Sequence, residues 1–346
     1  MTAFSCAVAS RRSQEPLIAT AGHYSTFVLI ECLFPWASKV FKSRHIPDAL
    51  RQMVAIAPKT TRFLCIHPLR KRPKAAKSKT RSPFTLLIYE QRFFGADNRF
   101  TNGYQGTEFQ LEDLTQAAEC LQAYFNGDRA SNRVGTPVTH AHDVLVCTHG
   151  VRDKCCARFG LPFLRASEQL LTEKKLDSVR LWQVSHIGGH RLAPTAIVLP
   201  EGRFYGRLTP EALHTIVTRR GPLAHFTDTH RGWSALPKPL QRLEQYLLEE
   251  HATKQTGWDW FQNKIAYTVI EKSKDEGTLR AELLVMHPDN SIATYRATLV
   301  RTSNPAYCLR ASCDQETATI LAKYEVSSCK QVGSAAAAQM SSRPAG

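Results

Sequence analysis

Two short motifs, each directly following a strand-like run, constrain this chain more than any other feature. HDVLVC (142–147) leads into Cys147-Thr-His-Gly-Val-Arg-Asp-Lys-Cys155-Cys156, and VRLWQVS (179–185) leads into His186-Ile-Gly-Gly-His190. A helical pattern, Cys156–Glu173, lies between them and carries Pro162, which is expected to interrupt it. Strand, helix and strand in that order predict a parallel pair, whose following loops emerge at one end of the sheet. Cys147, Cys155 or Cys156, His186 and His190 then converge. The two glycines between the histidines allow the backbone angles that a loop wrapped around a buried ion needs.

Two thiolates and two imidazoles suit either of two metal centres. Zinc takes such a set tetrahedrally, commonly from cysteines two to four residues apart. Here eight residues separate Cys147 from Cys156. That spacing favours an iron–sulfur cluster, whose ligands divide between irons and tolerate longer loops, without excluding zinc.

The remaining pattern alternates strands and helices. Strands are expected at 24–32, 62–66 and 84–89, with helices at 47–57 and 111–125, and residues 1–20 read as irregular. After a linker at 127–136 the second set continues as a hairpin, 195–199 with 203–206, across Pro200-Glu201-Gly202. TPEALHTIVT (209–218) then starts a helix with Thr209 as cap and Pro210 at its first position. The two halves share a pattern that an internal duplication would produce, though not their residues. A helix at 240–251 and alternating strands at 266–271, 279–285 and 294–300 predict an antiparallel appendage. The expected fold class is α/β (α+β), a mixed sheet flanked by helices. Its divisions are an N-terminal α/β region (1–130), a metal-binding domain (138–235), a C-terminal helix with antiparallel strands (236–332) and a disordered tail (333–346).

Composition excludes several classes. With 43% hydrophobic and 22% charged residues the chain has ample material for a core. Its opening, MTAFSCAVASRRSQEPL, lacks the apolar centre and cleavage site of a secretory signal, and FVLIECLFPW (27–36) is too short for a membrane span. The reading is a soluble, cytoplasmic protein. Its ten cysteines are then ligands or core residues rather than disulfides. Cys32, Cys65 and Cys120 sit in apolar or helical patterns and read as buried hydrophobes, while Cys308, Cys313 and Cys329 carry no assignment. Of the net charge of +15, RKRPKAAKSKTR (70–81) contributes seven basic residues, read as a solvated loop or a dock for an acidic partner. No nucleic-acid signature accompanies it.

The block CTHGVRDKCC…WQVSHIGGHRLAPTAIVLPEGRFYGRL, with EPLIATA and FPWASK upstream, resembles the sucrase/ferredoxin-like family over roughly residues 5–235. The resemblance implies a thioredoxin-like fold and a [2Fe–2S] cluster held by Cys147, Cys156, His186 and His190, with Cys155 as the alternative to Cys156. It implies an electron carrier rather than a catalyst, served by a redox partner protein. Neutral imidazoles in place of two thiolates make the site less negative, so its potential is expected above the ~−400 mV of plant-type ferredoxins. No carboxylate pair supports the hydrolysis in the family's name. The rival readings are a structural zinc protein and a thiol oxidoreductase using Cys155-Cys156, a strained pair.

Overall fold

The computed structural model describes residues 4–69, 84–127, 135–253, 257–273 and 277–336. The basic run at 70–81 lies outside them, as do most of the 127–136 linker and residues 337–346 of the expected tail.

Helix α1 (Cys6–Arg12) replaces the irregular start that the sequence suggested; Ser5 caps it by accepting from the Val8 N–H. Strand β1 (Thr26–Glu31), helix α2 (Asp48–Ile56) and strand β2 (Thr61–Pro68) follow, then β3 (Phe84–Phe94), β4 (Phe100–Leu111) and α3 (Thr115–Phe125). β4 was not anticipated, and the helix expected from 111 starts later. Asp113 decides this, since its carboxylate accepts from the Thr115 N–H at 2.8 Å and starts the helix there. After the two-residue β5 (Thr136–Pro137) come β6 (His142–Cys147), α4 (Lys154–Glu173) and β7 (Val179–Val184). Then β8 (Ala196–Leu199), β9 (Arg203–Tyr205) and α5 (Pro210–Thr218) complete the second unit, with Thr209 capping α5 as its sequence signals.

The two units have one topology. β1 and β2 pair in parallel, as do β6 and β7, and in each unit the third strand joins the first antiparallel. The order β9-β8-β6-β7-β2-β1-β3-β4 places them tail to tail, joined by the antiparallel β7–β2 contact Ile66↔Val184, His67↔Gln183 and Pro68↔Trp182. The two strand–helix–strand–hairpin–helix units around one seam show the repeated pattern that the sequence suggested.

Helix α4 runs straight through Pro162. An internal proline costs a helix about 3 kcal/mol. Here Cys156, Gly160, Phe163, Leu164, Ser167 and Leu171 form a continuous buried face that offsets it.

Beyond α6 (Ala224–Thr227) and β10 (His230–Trp233), the long helix α7 (Lys238–Ala252) packs on a meander. Its strands are β11 (Lys264–Lys272), β12 (Thr278–Met286) and β13 (Ser291–Thr302), with a short pair β14 (Cys308–Leu309) and β15 (Thr319–Ile320) before β16 (Lys323–Ala336). Leu240, Leu243 and Leu248 of α7 share a core with Leu283, Val285 and Leu299. Ile265 pairs with Thr101, extending the main sheet into the meander. β16 is held mainly by its backbone ladder to β13, with Val326 and Cys329 packing partly buried against the core. Among the described residues no helix is long and apolar enough to cross a membrane.

A buried carboxylate ties the ends of the chain to the middle. Glu15 is fully buried and accepts from Arg191 at 2.8 Å, Lys323 at 2.8 Å and Ser10 at 2.7 Å. Burial alone would raise its pKa; the Arg191 and Lys323 cations overcome this and hold it at about 2. A carboxyl depressed on folding stabilises the protein above its unfolded pKa, and that contribution is lost as pH falls from about 4.5 towards 2. The wild type is expected to be more stable than Glu15→Gln at neutral pH, by on the order of 2–3 kcal/mol. The gap should close as pH drops through that window. Urea unfolding of both proteins across it would show a constant gap if the pairing is unimportant.

Candidate metal centre

The parallel register Cys147↔Val184 puts the ends of β6 and β7 side by side, so the loops after them leave from one edge. Cys147 ends β6 with its backbone N–H on the Thr195 carbonyl at 3.0 Å. Cys156 lies in the first turn of α4, and Gly160 lets that helix approach: a Cβ there would come within 2.2 Å of the Cys147 carbonyl oxygen. His186 follows β7 by two residues, with Nδ1 at 3.7 Å from the Cys156 sulfur. The donor atoms of Cys147, Cys156 and His186 all lie within 4.8 Å of one another. His190 is close by, its ring centroid 5.1 Å from that of His186, but outside that tight group.

The two thiols differ in their hold on a proton. Hydrogen bonding from Cys156 and the neighbouring His186 outweigh burial and push the Cys147 thiol down, towards the thiolate. The same contact with Cys147, together with burial, pushes Cys156 up.

His149 anchors the backbone at His186, and Asp153 faces the ring of His190. His149 is buried; its Nδ1 accepts the His186 backbone N–H at 3.2 Å and its Nε2 faces the Ala37 carbonyl at 3.0 Å, which requires the Nε2–H tautomer. With both ring nitrogens facing backbone groups, it is neither a sulfur donor nor a surface group. Asp153 caps α4 through the Cys155 N–H at 2.8 Å and also reaches His190 Nδ1 at 2.7 Å. That contact is an ion-pair distance without hydrogen-bond alignment, so Nδ1 remains an unsatisfied buried atom. A carboxylate on one ring nitrogen leaves the other, Nε2, for a metal.

Gly188 and Gly189 both take positive φ, 83° and 72°, as the HIGGH loop was expected to need. A Cβ on Gly189 would strike the Arg231 guanidinium at 2.4 Å. That buried guanidinium donates to the Gly188 carbonyl at 3.1 Å and the Thr20 carbonyl at 3.0 Å, propping the loop from beneath. Burial lowers its pKa to about 10, so it remains a cation at neutral pH. Arg191, directly after the loop, pairs with Glu15. Trp182 is core, its indole N–H on Asp143.

Sequences of the type described as Sucrase/ferredoxin-like match residues 17–232, well over half of the chain. The chain belongs to the sucrase/ferredoxin-like family. Cys147, Cys156, His186, His190 and Arg231 all fall within that span. Among curated relatives, Altered inheritance of mitochondria protein 32 of Meyerozyma guilliermondii is 38% identical over 97 residues, 26% of this chain and 34% of that protein. Its counterpart in Clavispora lusitaniae is 40% identical over 85 residues, 24% and 30%. The chain thus spans about a third of the length of the curated relatives it matches. No solved structure matches it.

Cys155 and Cys156 of this sucrase/ferredoxin-like chain face opposite ways. Cys156 joins Cys147 and His186, whereas Cys155 joins Cys6, Asp153 and Cys313. Cys32, Cys65 and Cys120 are buried in the apolar core, as expected. Both groupings could hold a metal ion. Arg231, Cys6 and Cys313 carry no signal in the sequence, because each acts across more than 35 residues of chain or through an element that local pattern does not reveal.

Proposed function

We propose that this chain is an electron-transfer protein in which Cys147, Cys156, His186 and His190 hold a [2Fe–2S] cluster. The observation that carries the reading is the gathering of two thiols and His186 within 4.8 Å, with His190 oriented beside them by Asp153. One tetrahedral zinc needs all four donors within about 4 Å of each other, given metal–sulfur bonds of ~2.3 Å. A fourth donor outside the tight group suits the wider two-iron centre better. When bound, the cluster supplies reversible one-electron transfer. The residues of this chain shape that chemistry. The Cys147 thiol is pushed towards the thiolate, His149 holds the His186 backbone N–H, and Asp153 faces the His190 imidazole. The Arg231 cation lies close enough to both thiols to feel their charge and favours the reduced, more negative state.

A cavity of about 460 Å³ opens beside Gly189 and is lined by Arg191, Arg231, Lys238, Arg301 and Lys323. Its basic rim, next to the histidine loop, supports docking of an acidic redox partner protein. The chain's compartment is proposed to be intracellular; the relatives' printed name links those proteins to mitochondria. Separate orientation of Cys155 and Cys156 gives no support to a vicinal disulfide chemistry.

Anaerobic purification followed by visible absorption and low-temperature EPR before and after dithionite tests the proposal. A red-brown protein with a signal appearing on reduction is expected. Its potential should fall as pH rises, because an imidazole N–H is lost more readily from the oxidised state. A colourless chain with one zinc would overturn the cluster, and a potential flat between about pH 6 and 10 would overturn the histidine ligands.

A further inference from the structure

The second sulfur cluster lies at the opposite side of Asp153. Cys6, at the start of α1, Cys155, in the first turn of α4, and Cys313, between β14 and β15, meet from positions far apart in the chain. Their sulfurs form a nearly equilateral triangle: Cys6–Cys155 3.5 Å, Cys155–Cys313 3.3 Å and Cys313–Cys6 3.5 Å. Cys6 and Cys155 are each 1% exposed, and Cys313 is half-buried. A carboxylate oxygen of Asp153 lies within 4.8 Å of all three sulfurs.

The structure assigns to this triangle a zinc site formed by Cys6, Cys155 and Cys313, with Asp153 as the fourth donor. Thiolates around zinc at ~2.3 Å stand roughly 3.8 Å from one another, close to the three sides measured here. A disulfide would use two of the sulfurs, bring them to about 2.05 Å and strand the third. Three equal contacts fit a shared central ion better. Binding converts the thiols to thiolates and releases their protons to solvent. The surroundings also suit a structural rather than a catalytic ion: Ala7, Ala193 and Phe159 enclose the sulfurs.

The site has a role that local packing does not fill. Cys6 and Cys313 lie outside residues 17–232, so the triangle fastens both flanking segments onto the family region. It does so at the residue that orients His190. Asp153 Oδ2 accepts the Cys313 N–H at 3.1 Å while facing His190 Nδ1. The zinc would hold Asp153 in place from one side and leave the cluster ligands untouched. The assignment stands whether or not the Cys147 site carries iron.

Metal analysis of the full chain, expressed with iron and zinc supplied, tests it. About one zinc per chain is expected, lost in both Cys6→Ser and Cys313→Ser but kept in Cys147→Ser. Iron and visible absorption should show the reverse dependence, so failure of either site is read separately. Thiol alkylation supplies a measurement on the unmutated protein, in case the serine variants do not fold. Exposed Cys308 should label at once, and Cys313 only after a chelator removes zinc. A zinc-free wild type would overturn the assignment. So would zinc that leaves with Cys147→Ser instead, or a disulfide between any two of the three cysteines.

Discussion

Serine in place of Cys147 is expected to yield a folded protein that has lost its colour and at least about tenfold of its bound iron. The size of the effect follows from position. Cys147 is 1% exposed at the end of β6, and its backbone is anchored independently of its sulfur by the bond to Thr195. A hydroxyl there preserves volume but does not supply a thiolate, which is the form that binds iron. It also removes the partner that hydrogen-bonds with Cys156 and His186. Metal content, absorption and far-ultraviolet circular dichroism on the variant decide the matter. Unchanged iron in a folded Cys147→Ser protein would remove Cys147 from the ligand set. Cys120→Ser serves as the control, since Cys120 is buried on α3 in the apolar core of the first unit.

Alanine at Asp143 is expected to cost about 3–5 kcal/mol of stability, the cost of breaking a buried ion pair by deleting one partner. Asp143 is completely buried in β6 and accepts four hydrogen bonds. Arg180 donates two, at 2.7 and 2.8 Å, the Trp182 indole donates one at 2.6 Å, and the Tyr89 hydroxyl donates the fourth. Tyr89 belongs to the first unit and the others to the second, so this carboxylate bonds the two halves across the sheet. Deleting it leaves Tyr89 and Trp182 with unsatisfied buried donors and Arg180 with only Glu108, at 2.7 Å. Asparagine rescues little, because its amide nitrogen cannot accept from Arg180. Urea denaturation measures the loss. Adding Tyr89→Phe should cost less in the Asp143→Ala background than in the wild type, since the shared bond is already gone. A loss below about 1 kcal/mol would mean that water satisfies these groups in the variant.

Much of the architecture is legible in local pattern. The run HDVLVC became the buried strand β6, VRLWQVS with its β-branched and aromatic residues became the half-buried β7, and the Thr209-Pro210 start of α5 needed only its own side chains. α1, β4, β10 and β16 escaped notice. Largely polar β16 depends on the ladder of hydrogen bonds that β13 offers it, and a partner is not visible in local composition.

The same division holds at the metal centre. The amino-acid sequence alone placed Cys147, Cys156, His186 and His190 after two parallel strands, since strand ends and glycine-rich loops are local features. It favoured Cys156 through the family resemblance and kept Cys155 as the alternative. Only the tertiary structure separates them, because consecutive residues on a helix differ by about 100° in direction, and what each then faces depends on how α4 sits against β6 and α1. Gly160 and the Asp153 cap set that placement, turning Cys156 towards Cys147 and Cys155 towards Cys6 and Cys313. Arg231, His149 and Cys313 entered the same way, through contacts made across long stretches of chain whose geometry no local spacing encodes.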